Sequence, residues 1–600
     1  MKGSDLHKEN RNRKILLVNQ PNYLLVLIIS LFALISGRLF WLQVIKGSFF
    51  RKLSDENRIR LVSSPPIRGR ILDRNGRILA DNKLTHSLIL QPHLISDTQW
   101  AEYSSLLANL LEIDYPTLNT IYKKGIDNKD FTITLIRNMS SKQVIRFQEQ
   151  ESQFEGIQIH VELVRFYPNK TLASHVLGYT QFITQEEYAR LKKNGYKMSD
   201  RIGRIGLEAA FEKDLRGTWG GEMLEVDAIG TIQRSLGYKA PQAGKDIIST
   251  IDLQLQKSAE MVLNDKSAGA IIALDPHTGA IRAMASKPNF DPNFFTKFLT
   301  TQEEYEAIFL SSDLPLMSRA LNAYDPGSTW KVVTGMAGME SGKFPPETRL
   351  ETKKCIKYGA HCFPEHNRQG FGWIGYEDAF RVSSNTFFYQ VGVGSGIKEL
   401  FKNALKLGFY NRTGIEIANE ESKGFVGNQE WAAKGRGWAK PGTTPWIPED
   451  IASASIGQAV VQVTPLQLAR AYAVFANGGY LITPHLVDQD IDWVSSKYRQ
   501  KLDIKPSTLE KIRIGLRKVT ESGTGRTINY EGSTLPPVAG KTGTAEDSTG
   551  GSDHAWFACF APYESPEIVI VAFAQNTPGG GSVHALPMAR EILKVWNEGI

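Results

Sequence analysis

Apolar residues dominate one stretch near the beginning of the chain, from Pro21 to Ile45, which contains a single charged residue, Arg38. A helix needs about 20 such residues to cross a bilayer, and an arginine near its end can reach the interface. Basic residues precede the stretch, among them Lys8, Arg11, Arg13 and Lys14. By the positive-inside rule they keep the N-terminus cytoplasmic. The pattern therefore predicts a cytoplasmic tail over residues 1–20, one transmembrane helix over residues 21–45 and an extracytoplasmic remainder.

A cleaved signal peptide is the alternative interpretation of the same stretch. Cleavage requires small residues two positions apart, and Ala33, Ile35 and Gly37 do not supply a good site. We therefore expect the helix to remain as a membrane anchor.

Residues 46–245 show short alternating runs and polar helical stretches without a repeat. The runs His86–Leu90 and Phe131–Leu135 have the alternation of strands. The segment Asp73-Arg-Asn-Gly76 is a turn signal, and together with the residues from Arg68 onward it predicts a hairpin. We predict an α+β domain that ends at a linker over Pro241–Asp246.

The pattern becomes more regular from residue 246 to residue 600. Ala268–Asp275 and Ala280–Ser286 alternate around a Pro-His-Thr-Gly turn, which predicts a second hairpin. Apolar runs and helical spacing predict three strands and three helices: Val538–Thr544, Ala555–Ala561 and Ile568–Gln575, and Ser328–Glu340, Leu466–Ala476 and Met588–Trp596. Helices between a leading hairpin and a trailing set of strands favour an α/β domain with an antiparallel sheet.

Composition and charge exclude some classes of protein. A chain of 600 residues is too long for one hydrophobic core, so we expect two or more domains. Because 42% of the residues are hydrophobic and 22% are charged, the chain is typical of folded proteins. The net charge of +7 is a small excess of 70 basic over 63 acidic residues, and no nucleic-acid-binding motif accompanies it. We therefore expect no nucleic-acid partner.

The three cysteines differ in their surroundings. Cys559 lies in an apolar run and is expected to be a buried strand residue. Cys355 and Cys362 are close in sequence and can form a disulfide in an oxidising compartment. Two free thiols are an alternative, and so is a zinc site with His361 and His366, although the spacing matches no standard zinc pattern.

The segment Ser328-Thr-Trp-Lys331 carries the first candidate chemistry. If Ser328 opens the predicted helix, Lys331 lies one turn further on the same face, within reach of the serine hydroxyl. A serine needs an adjacent base to act as a nucleophile, and a lysine can be that base only if burial or a neighbouring cation lowers its pKa. Ser395-Gly-Ile-Lys398 has the same spacing but no companion motif, and we interpret Ser395 as a helix cap.

Two later segments complete the candidate site. Ser383-Ser-Asn385 offers a hydroxyl that can relay a proton and an asparagine that can hold a substrate amide, although such a tripeptide is common in loops. Lys541-Thr542-Gly543-Thr544 lies on a predicted strand, where Lys541 can attract a terminal carboxylate. Gly543 would let a substrate backbone approach closely. The order of the three motifs indicates an acyl-transfer site.

This triple resembles that of the β-lactam-interacting serine enzymes, which are the penicillin-binding proteins and the class A-type β-lactamases. The resemblance extends over nearly all of the chain. Four segments look like the pedestal of class B penicillin-binding proteins: Arg68–Gly76, Gly203–Glu208, Leu215–Gly217 and Glu225–Gly230. Four others look like the transpeptidase domain, the last three most like the elongation type, penicillin-binding protein 2: Tyr324–Lys331, Ser455–Gln458, Val463–Ala469 and His554–Phe557. Asp325 and Ala459 depart from the family, which often has proline and glycine there.

The resemblance implies the fold and the reaction. It implies an α/β transpeptidase domain over residues 246–600, with flanking helices on an antiparallel sheet, and an elongated α+β pedestal or dimerisation domain over residues 46–245. It implies a peptidoglycan D,D-transpeptidase that accepts stem peptides ending in D-Ala-D-Ala and is acylated by β-lactams at Ser328. Lys331 would be the base, Ser383, Asn385 and Lys541 would assist, and Thr542, Gly543 and Thr544 would bind substrate. The backbone N–H groups of Ser328 and Thr544 would form the oxyanion hole, without a metal or cofactor.

The resemblance also implies a place and partners. The anchor would lie in the bacterial cytoplasmic membrane, and the partners would be a polytopic glycan polymerase of the shape, elongation, division and sporulation family (RodA-like) and an elongation scaffold such as MreC. Four alternatives to this function remain open: a division-type transpeptidase, a D,D-carboxypeptidase, a β-lactamase and a non-catalytic activator of a polymerase. The acceptor amine, from diaminopimelate or lysine, is also open.

Overall fold

The computed structural model describes residues 6–49, 59–128, 132–226, 232–297, 300–427, 446–488, 498–529, 533–547 and 551–599. These residues belong to two compact units. The first unit comprises Met1–Pro66 and Thr218–Ala243, and the second comprises Ile67–Gly217 and Gly244–Ile600.

The first unit contains a long N-terminal helix and a small sheet. The helix runs over Leu6–Phe40 and continues as a π-helical turn over Trp41–Ile45. Its segment Tyr23–Ile45 is, by length and composition, apolar enough to cross a membrane, in agreement with the predicted span over residues 21–45. Of the predicted tail, Met1–Asp5 lie outside the described residues. The sheet is antiparallel, with Gly220–Val226 between Ile59–Ser64 and Ile232–Lys239.

The first part of the second unit, up to Gly217, is an α+β structure built on a long β-ribbon. Ile78–Leu90 pairs antiparallel with Ile157–Phe166 along ten positions. The remaining strands are Ile71–Leu72, Ile133–Ile136, Thr180–Phe182 and Arg201–Gly203. The α-helices are Asp97–Leu111, Tyr115–Asp127, Ser141–Gln148, Ser174–Leu177, Gln185–Leu191, Gly206–Ala210 and Glu212–Leu215.

The hairpin predicted after Arg68 is confirmed. Ile71–Leu72 pairs antiparallel with Ile78–Leu90. Asp73 closes the turn, because its Oδ1 accepts hydrogen bonds from the backbone N–H groups of Asn75 at 2.9 Å and Arg77 at 2.7 Å. A short aspartate side chain that bonds to the backbone two residues further on is the reason why this sequence turns here.

A buried carboxylate joins three segments of this part. Glu208 has no exposed surface, and its oxygens accept hydrogen bonds from Arg68 Nε at 2.7 Å, Arg165 Nε at 2.6 Å and the Tyr167 hydroxyl at 3.0 Å. Burial opposes the charge of Glu208, but Arg165 and Arg68 together hold its pKa below the usual value. Arg68 and Glu208, both in segments that carry the family resemblance, therefore meet in one ion-pair network.

The second part, from Gly244 onward, is built on a five-stranded antiparallel sheet. The strand order is Ile281–Lys287, Gly269–Leu274, Ile568–Ala574, His554–Ala561 and Ala539–Ala545. The hairpin and the three trailing strands predicted from the sequence are all present, with ends that differ by at most one residue. The predicted α/β domain with an antiparallel sheet is thus confirmed.

Both faces of this sheet are buried. Along Ile568–Ala574, Val569, Val571 and Phe573 face one core, and the alternate residues face the other. Helix Pro465–Ala476 covers the first face, and helices Leu253–Met261 and Ala585–Asn597 cover the second. Cys559 lies without exposed surface in the second core, as predicted. Because both faces are apolar, these strands appear in the sequence as continuous apolar runs.

This part also contains further helices and short strands. The α-helices are Gln302–Phe309, Lys331–Glu340, Tyr376–Arg381, Asn385–Ser395, Ile397–Lys406, Pro448–Ser455 and Pro506–Ser522. The short strands are Ile247–Ile248, Arg349–Thr352, Cys355–Tyr358, His361–Pro364, Gly372–Gly375, Phe425–Val426, Val461–Gln462, Tyr480–Ile482 and Arg499–Lys501.

Candidate active site

Ser328 lies on a single 3-10 turn, Gly327–Trp330, and the α-helix Lys331–Glu340 follows directly. The predicted helix over Ser328–Glu340 is therefore present with a tighter first turn. A 3-10 turn aligns residues three apart, so Ser328 and Lys331 lie on the same side of it. Ser328 is partly exposed, whereas Lys331 is completely buried. The turn thus presents the hydroxyl to solvent and keeps the amine inside the protein.

The Lys331 amine binds the second motif. Its Nζ lies 2.8 Å from the backbone oxygen of Ser383, 3.2 Å from Ser383 Oγ and 2.7 Å from Asn385 Oδ1. Among the described residues, no hydrogen bond joins Lys331 to Ser328, the contact that the spacing suggested. A protonated amine has three hydrogens, and these three contacts use all of them.

Ser383 also binds the lysine of the third motif. Lys541 Nζ donates to Ser383 Oγ at 2.9 Å and to the backbone oxygen of Thr542 at 2.9 Å. Like Lys331, Lys541 has no exposed surface. The Ser383 hydroxyl therefore bridges two buried amines, and the structure brings the three sequence motifs together at this hydroxyl.

Burial controls the charge of both amines. It lowers the pKa of Lys331 to about 7, against the opposing charge of Glu365. Burial, with the charge of Lys331 as a second cause, lowers the pKa of Lys541 well below its usual range. A low-dielectric interior disfavours an ammonium ion, so Lys331 can exist as a free base near neutral pH. Sequence reasoning left burial and a neighbouring cation open as causes, and burial is the larger one.

The Lys541 strand, Ala539–Ala545, is the edge strand of the sheet and packs against the Ser328 turn. A side chain on Gly327, where φ is +53°, would begin 2.3 Å from the backbone oxygen of Thr544. A side chain on Gly543 would begin 2.9 Å from Thr329 Cγ2 and 3.0 Å from the backbone oxygen of Pro326. The two glycines let the turn and the strand meet backbone to backbone, which no larger residue permits.

The hydroxyls of the third motif differ in exposure. Thr542 is buried, and its Oγ1 lies 2.7 Å from Thr524 Oγ1. Thr544 is exposed beside the Ser328 turn. The site therefore has an accessible hydroxyl at Thr544, while the Lys541 amine lies inside the protein.

The second motif is held by a residue that sequence reasoning missed. Ser383 has a left-handed backbone, with φ of +56°, and Ser384 caps the helix Asn385–Ser395. The carboxylate of Glu365 accepts hydrogen bonds from Ser384, Asn385 and Thr386. No motif surrounds Glu365 in the sequence, and only its closeness to Cys362 could have drawn attention to it.

Two further sequence interpretations have clear outcomes. Ser395 is the last residue of the helix Asn385–Ser395, and Gly396, not Ser395, occupies the cap position, so that interpretation was wrong. The reason is that one helix ends and the next begins at Gly396, whose φ of +86° turns the chain between them. Cys355 and Cys362 form a disulfide across the hairpin Cys355–Tyr358 and His361–Pro364.

Comparisons with known proteins agree with this geometry. A family model described as the penicillin-binding protein transpeptidase domain matches residues 269–594. A second, described as the penicillin-binding protein dimerisation domain, matches residues 63–249. The chain belongs to the penicillin-binding protein transpeptidases. The expected fold, a dimerisation domain followed by a transpeptidase domain, and the expected enzyme class are therefore both confirmed.

Curated relatives cover the whole family architecture. The peptidoglycan D,D-transpeptidase MrdA of Acinetobacter baumannii is 32% identical over 95% of this chain and 86% of its own length. The protein of the same name from Escherichia coli K12 is 29% identical over 94% of this chain and 92% of its own length. These relatives bear out the resemblance to penicillin-binding protein 2.

Solved structures of the family have the same fold. Penicillin-binding protein 2 of Helicobacter pylori, solved in a complex with MreC, superposes with a TM-score of 0.81 at 26% identity, over 90% of this chain and 99% of that one. Penicillin-binding protein 2 of Pseudomonas aeruginosa gives a TM-score of 0.67 at 28% identity, over 90% of this chain and 96% of that one.

Proposed function

We propose that this transpeptidase cross-links peptidoglycan stem peptides ending in D-Ala-D-Ala, with Ser328 as the nucleophile and Lys331 as its base. The observation that carries the proposal is the buried Lys331 amine, whose pKa is lowered to about 7 one 3-10 turn from a partly exposed serine. An unprotonated amine next to a serine is what activation of the hydroxyl requires.

The first half-reaction forms an ester. Ser328 Oγ attacks the carbonyl carbon between the two terminal D-alanines, and its proton passes to the Lys331 amine. The C–N bond then breaks, and D-alanine leaves after taking a proton at its nitrogen. The peptide remains on Ser328 as an acyl-enzyme. A β-lactam reacts in the same way, but its amine stays attached after ring opening.

The second half-reaction transfers the peptide. An amine from a neighbouring stem peptide attacks the ester carbonyl, forms the new C–N bond and loses a proton to the site. The C–O bond to Ser328 Oγ then breaks, and Ser328 recovers its hydroxyl proton. Diaminopimelate and lysine would both supply such an amine. Attack by water instead would give residual D,D-carboxypeptidase activity.

Ser383 and Asn385 suit proton transfer and substrate orientation. A neutral Lys331 amine has two hydrogens and one lone pair, so it can donate to only two of its three contacts. Of the three, the Ser383 hydroxyl is the one that can donate a proton, because the backbone oxygen and Asn385 Oδ1 only accept. Ser383 is therefore positioned to relay a proton between Lys331 and the amine that leaves or enters.

The Lys541 strand suits the binding of an extended peptide. Its outer edge lies beside the Ser328 turn, so a substrate that pairs with it would bring its scissile bond to the hydroxyl. The exposed Thr544 hydroxyl suits a terminal carboxylate there, and a bound carboxylate would in turn favour the protonated form of the buried Lys541 amine. Thr542 and Gly543 form the strand between them. The N–H groups of Ser328 and Thr544 would stabilise the oxyanion, at about 3–4 kcal/mol per donor.

The chain contains its own control for the nucleophile, because Ser395-Gly-Ile-Lys398 repeats the spacing of Ser328 and Lys331. The full-length protein is incubated with fluorescent penicillin, and the labelled peptide is mapped. We expect Ser328→Ala to abolish labelling and Ser395→Ala to leave it intact. A label that survives in Ser328→Ala, or that maps elsewhere, would refute the assignment. Rapid turnover of the penicillin would instead favour a β-lactamase.

The anchor and the relatives support a location and partners. We place the helix over residues 21–45 in the bacterial cytoplasmic membrane, with residues 1–20 cytoplasmic and a pedestal over 46–245 and a transpeptidase domain over 246–600 outside. One relative was solved with MreC, and another belongs to a peptidoglycan synthase complex that coordinates polymerisation and cross-linking. By that similarity this chain would act in cell elongation with a RodA-like glycan polymerase and an MreC-like scaffold. Depletion should then give rounded cells, whereas filaments would indicate a division role.

A further inference from the structure

Glu365 is a completely buried carboxylate next to, but outside, the three motifs. It directly follows the strand His361–Pro364, whose hairpin partner is Cys355–Tyr358. The disulfide between Cys355 and Cys362 closes this hairpin, and the Glu365 N–H donates to the backbone oxygen of Lys354 at 2.9 Å. The backbone of Glu365 is thus fixed by a covalently closed hairpin.

The two oxygens of Glu365 bind three consecutive residues of the second motif and its helix. Oε1 accepts from the Asn385 N–H at 2.7 Å. Oε2 accepts from the Ser384 hydroxyl at 2.5 Å, the Thr386 hydroxyl at 2.7 Å and the Thr386 N–H at 3.1 Å. Oε1 also accepts hydrogen bonds from the backbone N–H of His366 at 3.0 Å and from the ring Nδ1 of His366 at 3.1 Å. One carboxylate therefore fixes the backbone on both sides of the Asn385 side chain.

Asn385, together with the preceding Ser383, also binds the catalytic lysine. The Ser383 and Asn385 side chains both contact Lys331 Nζ. A displacement of the helix start by about 1 Å would break these contacts, and displacements of that size cost about 100-fold in rate in well-studied enzymes. Glu365 thus acts on Lys331 through the Ser384–Thr386 backbone.

We propose that Glu365 is a positioning residue for the reaction: its carboxylate holds Ser383 and Asn385 against Lys331, and its negative charge acts on the Lys331 amine. The Cys355–Cys362 disulfide fixes the hairpin that delivers Glu365 to this position. The inference rests on the proposed role of Lys331 as the base. It adds a fourth segment, Cys355–Glu365, to the three motifs.

The charge of Glu365 should affect the pH dependence of acylation. Burial raises the pKa of Glu365, but hydrogen bonds from His366, Ser384, Asn385 and Thr386 outweigh it and hold the pKa at about 2. The carboxylate is therefore charged at every pH at which the enzyme works. Among the described residues, the titratable groups that interact with Glu365 include His366 and Tyr389, and Lys331 interacts with Lys541. Because Glu365 raises the pKa of Lys331, its neutralisation would lower that pKa.

Two substitutions separate the charge from the geometry. The rate of acylation by fluorescent penicillin is measured from pH 5 to pH 9 on the full-length protein in detergent. Glu365→Gln should lower the plateau rate about 10- to 100-fold and move the midpoint of the acid limb to lower pH. Glu365→Asp keeps the charge but shortens the side chain, so it should lower the plateau and leave the midpoint nearly in place. Glu351→Gln, at an exposed glutamate of a neighbouring strand, should change neither.

The pH profiles distinguish an error in the role of Glu365 from an error in the proposed function. A wild-type profile without an acid limb would overturn the role of Lys331 itself. A wild-type acid limb that Glu365→Gln leaves unmoved, at an unchanged plateau, would overturn only the role of Glu365. If Glu365→Gln does not fold, an unchanged rate in Glu365→Asp decides against the positioning role.

The disulfide is tested by the double substitution Cys355→Ser and Cys362→Ser. Because Glu365 keeps its charge, the plateau should fall and the midpoint should stay. A plateau at the wild-type rate would show that the hairpin holds Glu365 without the disulfide, which overturns that part of the inference.

Discussion

At the residue scale, the chemistry depends on the groups that form hydrogen bonds with the Lys331 amine. The sequence indicated that Lys331 and Ser328 lie one turn apart, and the structure directs the Lys331 amine toward Ser383 and Asn385 instead. This arrangement keeps the amine inside the protein, where burial lowers its pKa to about 7. Ser328 is free to meet a substrate, and its proton can reach Lys331 once the amine is neutral.

The pKa of Lys331 predicts how acylation depends on pH. Only the unprotonated amine can accept the serine proton, so the active fraction falls as the pH drops below about 7. We expect the rate of acylation by penicillin to fall roughly tenfold per pH unit on the acid side and to level off above pH 8. Circular dichroism at each pH serves as the control for folding. A rate that stays flat from pH 5 to pH 9 would exclude Lys331 as the base.

At the scale of elements, the site depends on close contact between a turn and an edge strand. Gly327 and Gly543 are the two positions at which the Ser328 turn and the Lys541 strand approach. The sequence suggested closeness at Gly543, where a substrate was expected, and the structure shows that the neighbour on one side is the protein's own turn. Glycine is therefore required at both positions mainly because the turn and the strand pack closely against each other there.

Gly327 and Gly342 both have a left-handed backbone, but of the two only Gly327 would contact another segment if it carried a side chain. Gly327 has φ of +53° and would collide with Thr544, whereas Gly342 has φ of +73° and no atom within 4 Å of an added Cβ. Each substitution by alanine should cost about 1–2 kcal/mol of left-handed strain. Gly327→Ala should add about 1–3 kcal/mol from overpacking and should slow acylation.

These effects are measured by thermal unfolding and by penicillin labelling. We expect Gly342→Ala to lower the melting temperature modestly and to keep the acylation rate. If the two variants lost the same amount of stability and of acylation rate, close contact between the turn and the strand would not be required.

At the scale of the whole molecule, the chain combines an apolar N-terminal helix with an enzyme of the penicillin-binding family. The segment Tyr23–Ile45 has the length and composition of a membrane span. The second compact unit has its own cores, including the two that cover the faces of the central sheet. The enzyme should therefore fold and react without the helix.

Deletions test this separation. Removal of residues 1–45 should release the protein from the membrane fraction to the soluble fraction and should preserve penicillin labelling. Removal of residues 1–20 alone is the matched control and should leave the protein in the membrane. A full-length protein found in the soluble fraction would contradict the anchor.

Features that depend on local chemistry could be predicted from the order of the amino acids. Apolar runs predicted the strands of the central sheet, because both of its faces are buried, and the turn at Asp73 followed from an aspartate that bonds to its own backbone. The three motifs named the residues that meet at the Ser383 hydroxyl, because each motif carries its chemistry within four residues.

Contacts between segments that are distant in the chain could not be predicted in this way and became apparent from the fold. Glu365 lies twenty positions before Asn385 and in no motif, so nothing local marked it as the residue that holds the second motif. The cap assigned to Ser395 failed because a second helix begins immediately after the first. The pairing of Cys355 with Cys362 depends on a hairpin, and the state of Lys331 depends on burial by the whole domain. Such properties belong to packing, which a linear pattern of side chains does not contain.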